Sequence, residues 1–307
     1  MPSLLPASID DSRWQSRNAW ISLHPAEVRI HYIDCPVPEK VEEKGTIALI
    51  HGFPETSYQF RHVINPFSEA GYRVIAPDYR GAGESSRPRD GYTKSIMAED
   101  IYKLLRDHLK ITEKVHIVGH DIGGMVAHAY ASRYPDHTAS VSWGECPLPG
   151  TKAFEDMKDD PGVWHFTFHQ QIDLPEALTY GRERMYIKSF YDRLCFNPTA
   201  INVTDLDHYA TMFSQAGAMR CGFDTYRAFP TDAEENRNWL KQHGKCKVPA
   251  QSLSGEQSFL LRIAEAMVKE MYEDVEFATV EQSGHWAAEE NPEDFVKKVV
   301  SFVQMHS

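Results

Sequence analysis

Hydrophobic positions come in short runs separated by polar turns. Val28 to Ile33 alternates with the period of two expected of a strand, whereas Thr46 to Ile50 and Val74 to Ala76 are apolar runs that stop at His51-Gly52-Phe53-Pro54 and at Pro77-Asp78. Runs of that kind predict strands buried on both faces. After Thr93 the spacing changes, and Ser95 to Leu109 places Ile101, Leu104, Leu105 and Leu109 on one helical stripe before Val115 to Val118 returns as a strand. Helix and strand alternate again from Gly123 to Val141, with Tyr134-Pro135 ending the helix. The alternation predicts a mostly parallel sheet with helices on both faces.

From about Thr151 to Lys247 the rhythm is lost. Short helical segments carry Trp164, Phe166, Phe168, Tyr180, Tyr186, Phe190, Tyr191, Tyr209, Phe213 and Tyr226, and no clear strand intervenes. Val248 to Ser254 and Val275 to Val280 then resume as strands, with Phe259 to Met271 as the helix between them and Pro292 to Gln304 as a closing helix. The expected organisation is one α/β domain made of residues 1–150 and 248–307, interrupted by a helical cap at 151–247. Clefts between a sheet and such a cap are common ligand sites.

Composition narrows the function classes. Of 307 residues, 42% are hydrophobic and 25% charged, which suits a globular chain with a sizeable core. Lys and Arg number 32 against 44 Asp and Glu, a net charge of −12 that repels nucleic acid and anionic membrane surfaces, and no local basic patch reverses it. Neither is expected as a partner. Five cysteines at wide spacing, with no C-x-x-C pair, favour a reducing compartment and point to the cytoplasm. Met1 to Asp11 lacks the basic start and apolar stretch of a signal peptide, and no run is long enough to cross a bilayer.

The sharpest chemical signal is Val115-His116-Ile117-Val118-Gly119-His120-Asp121-Ile122-Gly123-Gly124. A buried strand runs into Gly-x-Asp-x-Gly-Gly and then a helix, the setting of a nucleophile elbow, in which small residues allow a strained turn to lift one side chain above the sheet. Asp before a helix is also an ordinary helix cap. A second signal lies past the last strand, in Gly284-His285-Trp286, where a histidine in a loop at the carboxyl end of the sheet can reach the elbow.

Together with His51-Gly52-Phe53-Pro54 and Asp78-Tyr79-Arg80-Gly81-Ala82-Gly83-Glu84-Ser85, these segments resemble the motifs of the α/β-hydrolase fold, and the Asp elbow resembles its epoxide hydrolase branch. Trp164-His165-Phe166, Thr225-Tyr226-Arg227-Ala228 and Gly144-Glu145-Cys146-Pro147-Leu148-Pro149 further resemble the bacterial Cif-type epoxide hydrolases. The resemblance implies cofactor-free hydrolysis of a small apolar epoxide by water. Asp121 would attack, Tyr226 and His165 would assist the leaving oxygen, His285 would activate water, and backbone N–H groups of Phe53 and Ile122 would form the oxyanion hole. A homodimer is compatible with it.

An Asp nucleophile suits displacement at saturated carbon, giving an alkyl ester whose carbonyl water then attacks. The leaving group is a halide or a ring oxygen. Haloalkane dehalogenases hold halide with a Trp after the nucleophile, where this chain has Ile122, and with an Asn where Pro54 stands. Fluoroacetate dehalogenases place arginines where Ile122 and Met125 stand, and a Trp where Phe166 stands. A dehalogenase, an esterase and a silent ligand-binding protein of the same fold remain alternatives. The family's usual relay acid is missing, since Gly255-Glu256 is followed by Gln257-Ser258, so Glu145 takes the role and Glu256 is the reserve. His51 and His120 read as structural turn residues.

Overall fold

A computed structural model describes residues 9–22 and 27–306, so most of the N-terminal stretch read above for a signal peptide lies outside the described residues. Alternation along β3 (Gly45–Ile50) decides which face each side chain takes. Ile47 and Leu49 pack with Phe60, Phe67, Val299 and Val303 on one face. Ala48 and Ile50 pack with Met97, Ile101 and Val126 on the other. Helices therefore cover both sides: α1 (Ile64–Glu69) and, far along the chain, α13 (Pro292–Gln304) on the first, α2 (Lys94–Tyr102) and α3 (Ile122–Arg133) on the second.

The remaining strands are β1 (Gln15–Ser22), β2 (Glu27–Cys35), β4 (Tyr72–Pro77), β5 (Val115–His120), β6 (Thr138–Gly144), β7 (Ala250–Gly255) and β8 (Val275–Val280). Their order across the sheet is β1-β2-β4-β3-β5-β6-β7-β8. Strands from β4 to β8 run parallel, while β1 and β2 form an antiparallel edge. The carboxyl ends of the parallel strands thus open on one edge of the sheet, where ligands bind in folds of this kind.

Between β6 and β7 the chain passes through α4 (Lys152–Met157), α5 (Trp164–Gln170), α6 (Leu174–Thr179), α7 (Glu183–Leu194), α8 (Val203–Phe213), α9 (Ala218–Arg227) and α10 (Phe229–His243). After β7 come α11 (Leu261–Met271) and, past β8, α12 (Ala287–Glu290).

Several elements differ from expectation. β1 escaped the hydrophobic pattern because, of Gln15 to Ile21 on this edge strand, only Ala19 and Ile21 are buried, and its Trp20 is 68% exposed. The stripe expected as one helix from Ser95 to Leu109 is α-helical only to Tyr102 and continues with π-helical bonding over Lys103–His108. The helix expected from Phe259 begins at Leu261.

Candidate active site

β5 ends at His120 and α3 begins at Ile122, so Asp121 makes the whole turn between strand and helix. It adopts φ +54° and ψ −123°, a costly backbone for a residue with a Cβ. The flanking glycines permit it. A Cβ at Gly119 would stand 2.2 Å from the Gly123 carbonyl oxygen, and one at Gly123 would stand 2.1 Å from that of Ile50. The turn lifts the Asp121 carboxylate above the sheet, where Oδ1 accepts the Phe53 N–H at 2.9 Å. The Ile122 N–H also bonds the carboxylate. Burial raises the Asp121 pKa, while His285 and these two N–H groups act in the opposite direction. Phe53 and Ile122 are therefore together on the nucleophile candidate.

His285 sits in the loop between β8 and α12, with Nε2 3.9 Å from Asp121 Oδ2. Its Nδ1–H donates to Glu145 Oε2 at 2.9 Å. Burial pushes the imidazole down to about 4, with Asp121 opposing, so it is neutral at neutral pH. Glu145 leaves β6 at φ +58°. It also accepts the Gly255 N–H at 2.9 Å and the Ser258 hydroxyl at 2.6 Å. Burial pushes its carboxyl up to about 7, against the pull of these donors. The Ser258 hydroxyl, in the loop after β7, thus serves as a donor to an acid arriving from β6. Glu256 is exposed and accepts the Gln282 N–H instead.

Tyr226 and His165 come from α9 and α5 and line the same cavity as Asp121, Glu145 and His285, together with Phe53, Phe166, Phe190, Leu194 and Trp286. The rings of His165 and Tyr226 meet edge to face, centroids 5.7 Å apart. Burial, with Asp121 nearby, holds the Tyr226 phenol well above its ordinary pKa. Burial pushes His165 down to about 3, and its Nδ1 is buried without a partner. Both are neutral at physiological pH and have donor hydrogens to offer. Space for water in the cavity is only about 20 Å³.

His51 and His120 belong to the scaffold. His51 stacks on Tyr79 at 4.0 Å, and His120 Nε2–H donates to the His285 carbonyl at 2.7 Å. Sequence reasoning missed the support behind Tyr226. Lys94 Nζ, fully buried, bonds the Thr225 carbonyl at 2.5 Å and Asp232 Oδ2 at 2.7 Å. A Lys after Thr93 carries no sign of burial, and its partner lies on α10. Also missed was His169, one turn after His165, which pairs with the Tyr186 hydroxyl at 2.6 Å and meets Tyr226 at 4.3 Å. Among the described residues no cluster of three or more His, Cys, Asp or Glu is arranged to hold a metal ion.

A carboxylate on a strained elbow, a histidine with an acid behind it and backbone donors facing the carboxylate, all at the carboxyl edge of a parallel sheet, define a hydrolase of the α/β class. The chain belongs to the α/β hydrolase fold family, whose pattern it matches over residues 45–292, and it is an epoxide-hydrolase-like member of it. It is 31% identical over 262 residues to the soluble epoxide hydrolase of Corynebacterium sp. (strain C12), covering 83% of this chain and 89% of that protein. Among solved structures, Cfl2 of Burkholderia cenocepacia superposes with a TM-score of 0.84 at 30% identity, over 94% of this chain and 95% of that one. The Cif epoxide hydrolase from Acinetobacter nosocomialis shares the fold at 21% identity, with a TM-score of 0.82 over 95% of this chain and 89% of that one. No described helix is long and apolar enough to cross a membrane.

Proposed function

We propose that this chain hydrolyses an apolar epoxide to a vicinal diol through a covalent ester on Asp121, without a cofactor. The observation that carries the reading is an Asp, not a Ser, on the elbow, in one apolar cavity with two neutral donors, Tyr226 and His165. Asp121 Oδ2 attacks a ring carbon, and the C–O bond to the ring oxygen breaks. Tyr226 protonates the emerging alkoxide and recovers its proton from water, while His165, too acidic as an imidazolium to be charged, gives an N–H hydrogen bond.

Hydrolysis of the ester follows from the placement of the two carboxylate oxygens. Oδ1 is held by Phe53 N–H, so it is the oxygen on which negative charge develops when water adds to the ester carbonyl, and each such donor is worth about 10²–10³ in rate. His285 Nε2 takes the proton of that water, and Glu145 keeps the other ring nitrogen protonated and steadies the imidazolium. Collapse expels the diol oxygen, which takes the proton from His285, and the carboxylic acid left on Asp121 gives its proton to solvent, balancing the one that Tyr226 took from water. Glu145 and His165 at these two positions favour the Cif-type branch, and five free thiols favour a reducing compartment such as the cytoplasm.

A single turnover in heavy-oxygen water tests the covalent step. Because water attacks the ester carbonyl, the first diol carries an unlabelled enzyme oxygen and the label enters Asp121. A labelled first diol means direct attack by water and removes Asp121 as nucleophile. Halide release from haloacids, with no diol from any epoxide, moves the assignment to a dehalogenase.

A further inference from the structure

The cavity at Asp121 leaves water about 20 Å³, room for roughly one molecule, so no epoxide enters until a wall moves. One wall has open space behind it. Phe166 faces the cavity on one side. On the other it stacks on Phe154, with centroids 6.3 Å apart at 20°, and meets Phe229 edge-on at 5.3 Å. Phe154 and Phe229 in turn line a surface groove between α4, α5 and α10 that holds about 530 Å³. That volume is in the range of small-molecule sites. Cavity and groove are therefore separated by aromatic rings two deep, Phe166 on the cavity and Phe154 with Phe229 on the groove, and Tyr226 touches both, 5.7 Å from Phe166 and 5.0 Å from Phe229.

We propose that this groove is a second substrate subsite, reached when the stacked Phe166 and Phe154 rings turn aside together, and that it takes the distal part of a long epoxide whose ring lies against Asp121. The inference rests on the epoxide reading of Asp121. Its chemistry fixes the class of tail. The floor, Phe154, Phe229, Pro230 and Ala233, is apolar, whereas the rim carries Thr167, Gln170 and Gln171. The charges on the rim cancel, with Lys158 and Arg237 against Glu155 and Asp159. Both cations are already engaged by Glu155, at 2.6 and 3.3 Å. The groove thus suits an uncharged tail with an apolar body and a neutral hydrogen-bonding end, such as a hydroxyl or an amide, and does not select a carboxylate.

The test compares kcat/KM for two terminal epoxides with the same head, 1,2-epoxybutane and a twelve-carbon 1,2-epoxide ending in a hydroxyl. Thr167 is exposed on the groove side of α5, so Thr167→Trp fills the groove without entering the core. The ratio of long to short substrate is expected to fall at least tenfold. Gln170→Trp, one turn away, fills the same space and serves if the first variant does not fold. Ile263→Trp fills a different surface groove, between α4 and α11, and is expected to leave the ratio unchanged. An unchanged ratio in both groove variants, an equal loss on both substrates, or a fall in the ratio caused by Ile263→Trp overturns the proposal. Absence of diol from either epoxide with the unmodified protein would instead overturn the underlying epoxide reading.

Discussion

Glu145 is pulled two ways. Burial raises its carboxyl to about 7, yet three donors, from Gly255, Ser258 and His285, converge on its oxygens. Its protonation state decides what His285 can do. An ionised Glu145 accepts Nδ1–H and leaves Nε2 bare to take a proton from water. A protonated Glu145 donates to Nδ1 and so forces the Nε2–H tautomer, which is no base. Ester hydrolysis is therefore expected to speed up as pH rises through about 7 and then to level off. His285 itself, pushed down to about 4, adds no limb in that range. Glu145→Gln is expected to alkylate Asp121 normally but to release diol about 10²- to 10⁴-fold more slowly, with the ester visible by intact-protein mass spectrometry. The limb near 7 should vanish in that variant, and its persistence would assign the titration to another group. Glu256→Gln, which alters an exposed carboxyl bonded to Gln282, is expected to leave the step intact.

At the scale of elements, the helices that carry His165 and Tyr226 must be registered on the sheet that carries Asp121. Asp232, on α10, accepts the backbone N–H of Lys94 at 2.8 Å and so caps the start of α2 from outside, while its other oxygen meets Lys94 Nζ at 2.7 Å. Burial disfavours both charges, lowering the Lys94 pKa and raising that of Asp232. Each ion therefore depends on the other. Lys94→Met should leave a buried carboxylate without its cation and cost about 3–5 kcal/mol, read as a lower midpoint in denaturant. Adding Asp232→Leu should recover much of the loss, and a double variant worse than the single would show that the pair is not the source. The elements that this pair joins were legible to different degrees. β3, β5 and α3 stood out because burial on both faces writes continuous apolar runs and glycine-rich turns. β1 did not, since a strand with one solvent face and an outward Trp20 lacks that signature, and the change to π-helical bonding after Tyr102 leaves the apolar stripe unaltered. Asn202 caps α8, accepting the N–H of Thr204 at 2.8 Å and that of Asp205 at 3.2 Å.

Over the whole molecule, the site joins chain segments as far apart as Glu145 and His285, 140 residues from each other. Asp121 and His285 could be read in advance because each sits in a motif whose backbone demands are written in glycines. Glu145 could be singled out only by its place after a predicted strand, the missing acid after Gly255-Glu256 and resemblance, for its position depends on a left-handed turn and on Ser258, and Lys94 had no signal because its partner is distant in sequence. The same long-range dependence holds the helical insertion to the core at Arg61, which is fully buried just after the His51-Gly52-Phe53-Pro54 turn. Arg61 Nη1 meets Glu289 of α12 at 2.5 Å, and Nη2 meets Asp205 of α8 at 3.2 Å. Tyr209 and Tyr58 donate their hydroxyls to the same two carboxylates at 2.6 and 2.8 Å. One planar cation serves two acids, a task for which lysine lacks the geometry. Arg61→Met should strand both carboxylates and cost at least 3–5 kcal/mol at pH 7, about 2–4 °C of Tm for each kcal/mol. The sign of its pH dependence follows. Burial already raises the Glu289 carboxyl against the pull of Arg61, and without the guanidinium it rises further above its unfolded value, so the folded variant takes up a proton more readily than its unfolded chain, and the penalty shrinks as pH falls towards the unfolded carboxylate range. The Tm gap between the variant and the unmodified protein should therefore narrow from pH 7 to pH 5, with Arg61→Lys behaving nearly as badly as Arg61→Met. A gap that stays constant with pH would mean that lost packing, not unpaired charge, is what the substitution costs.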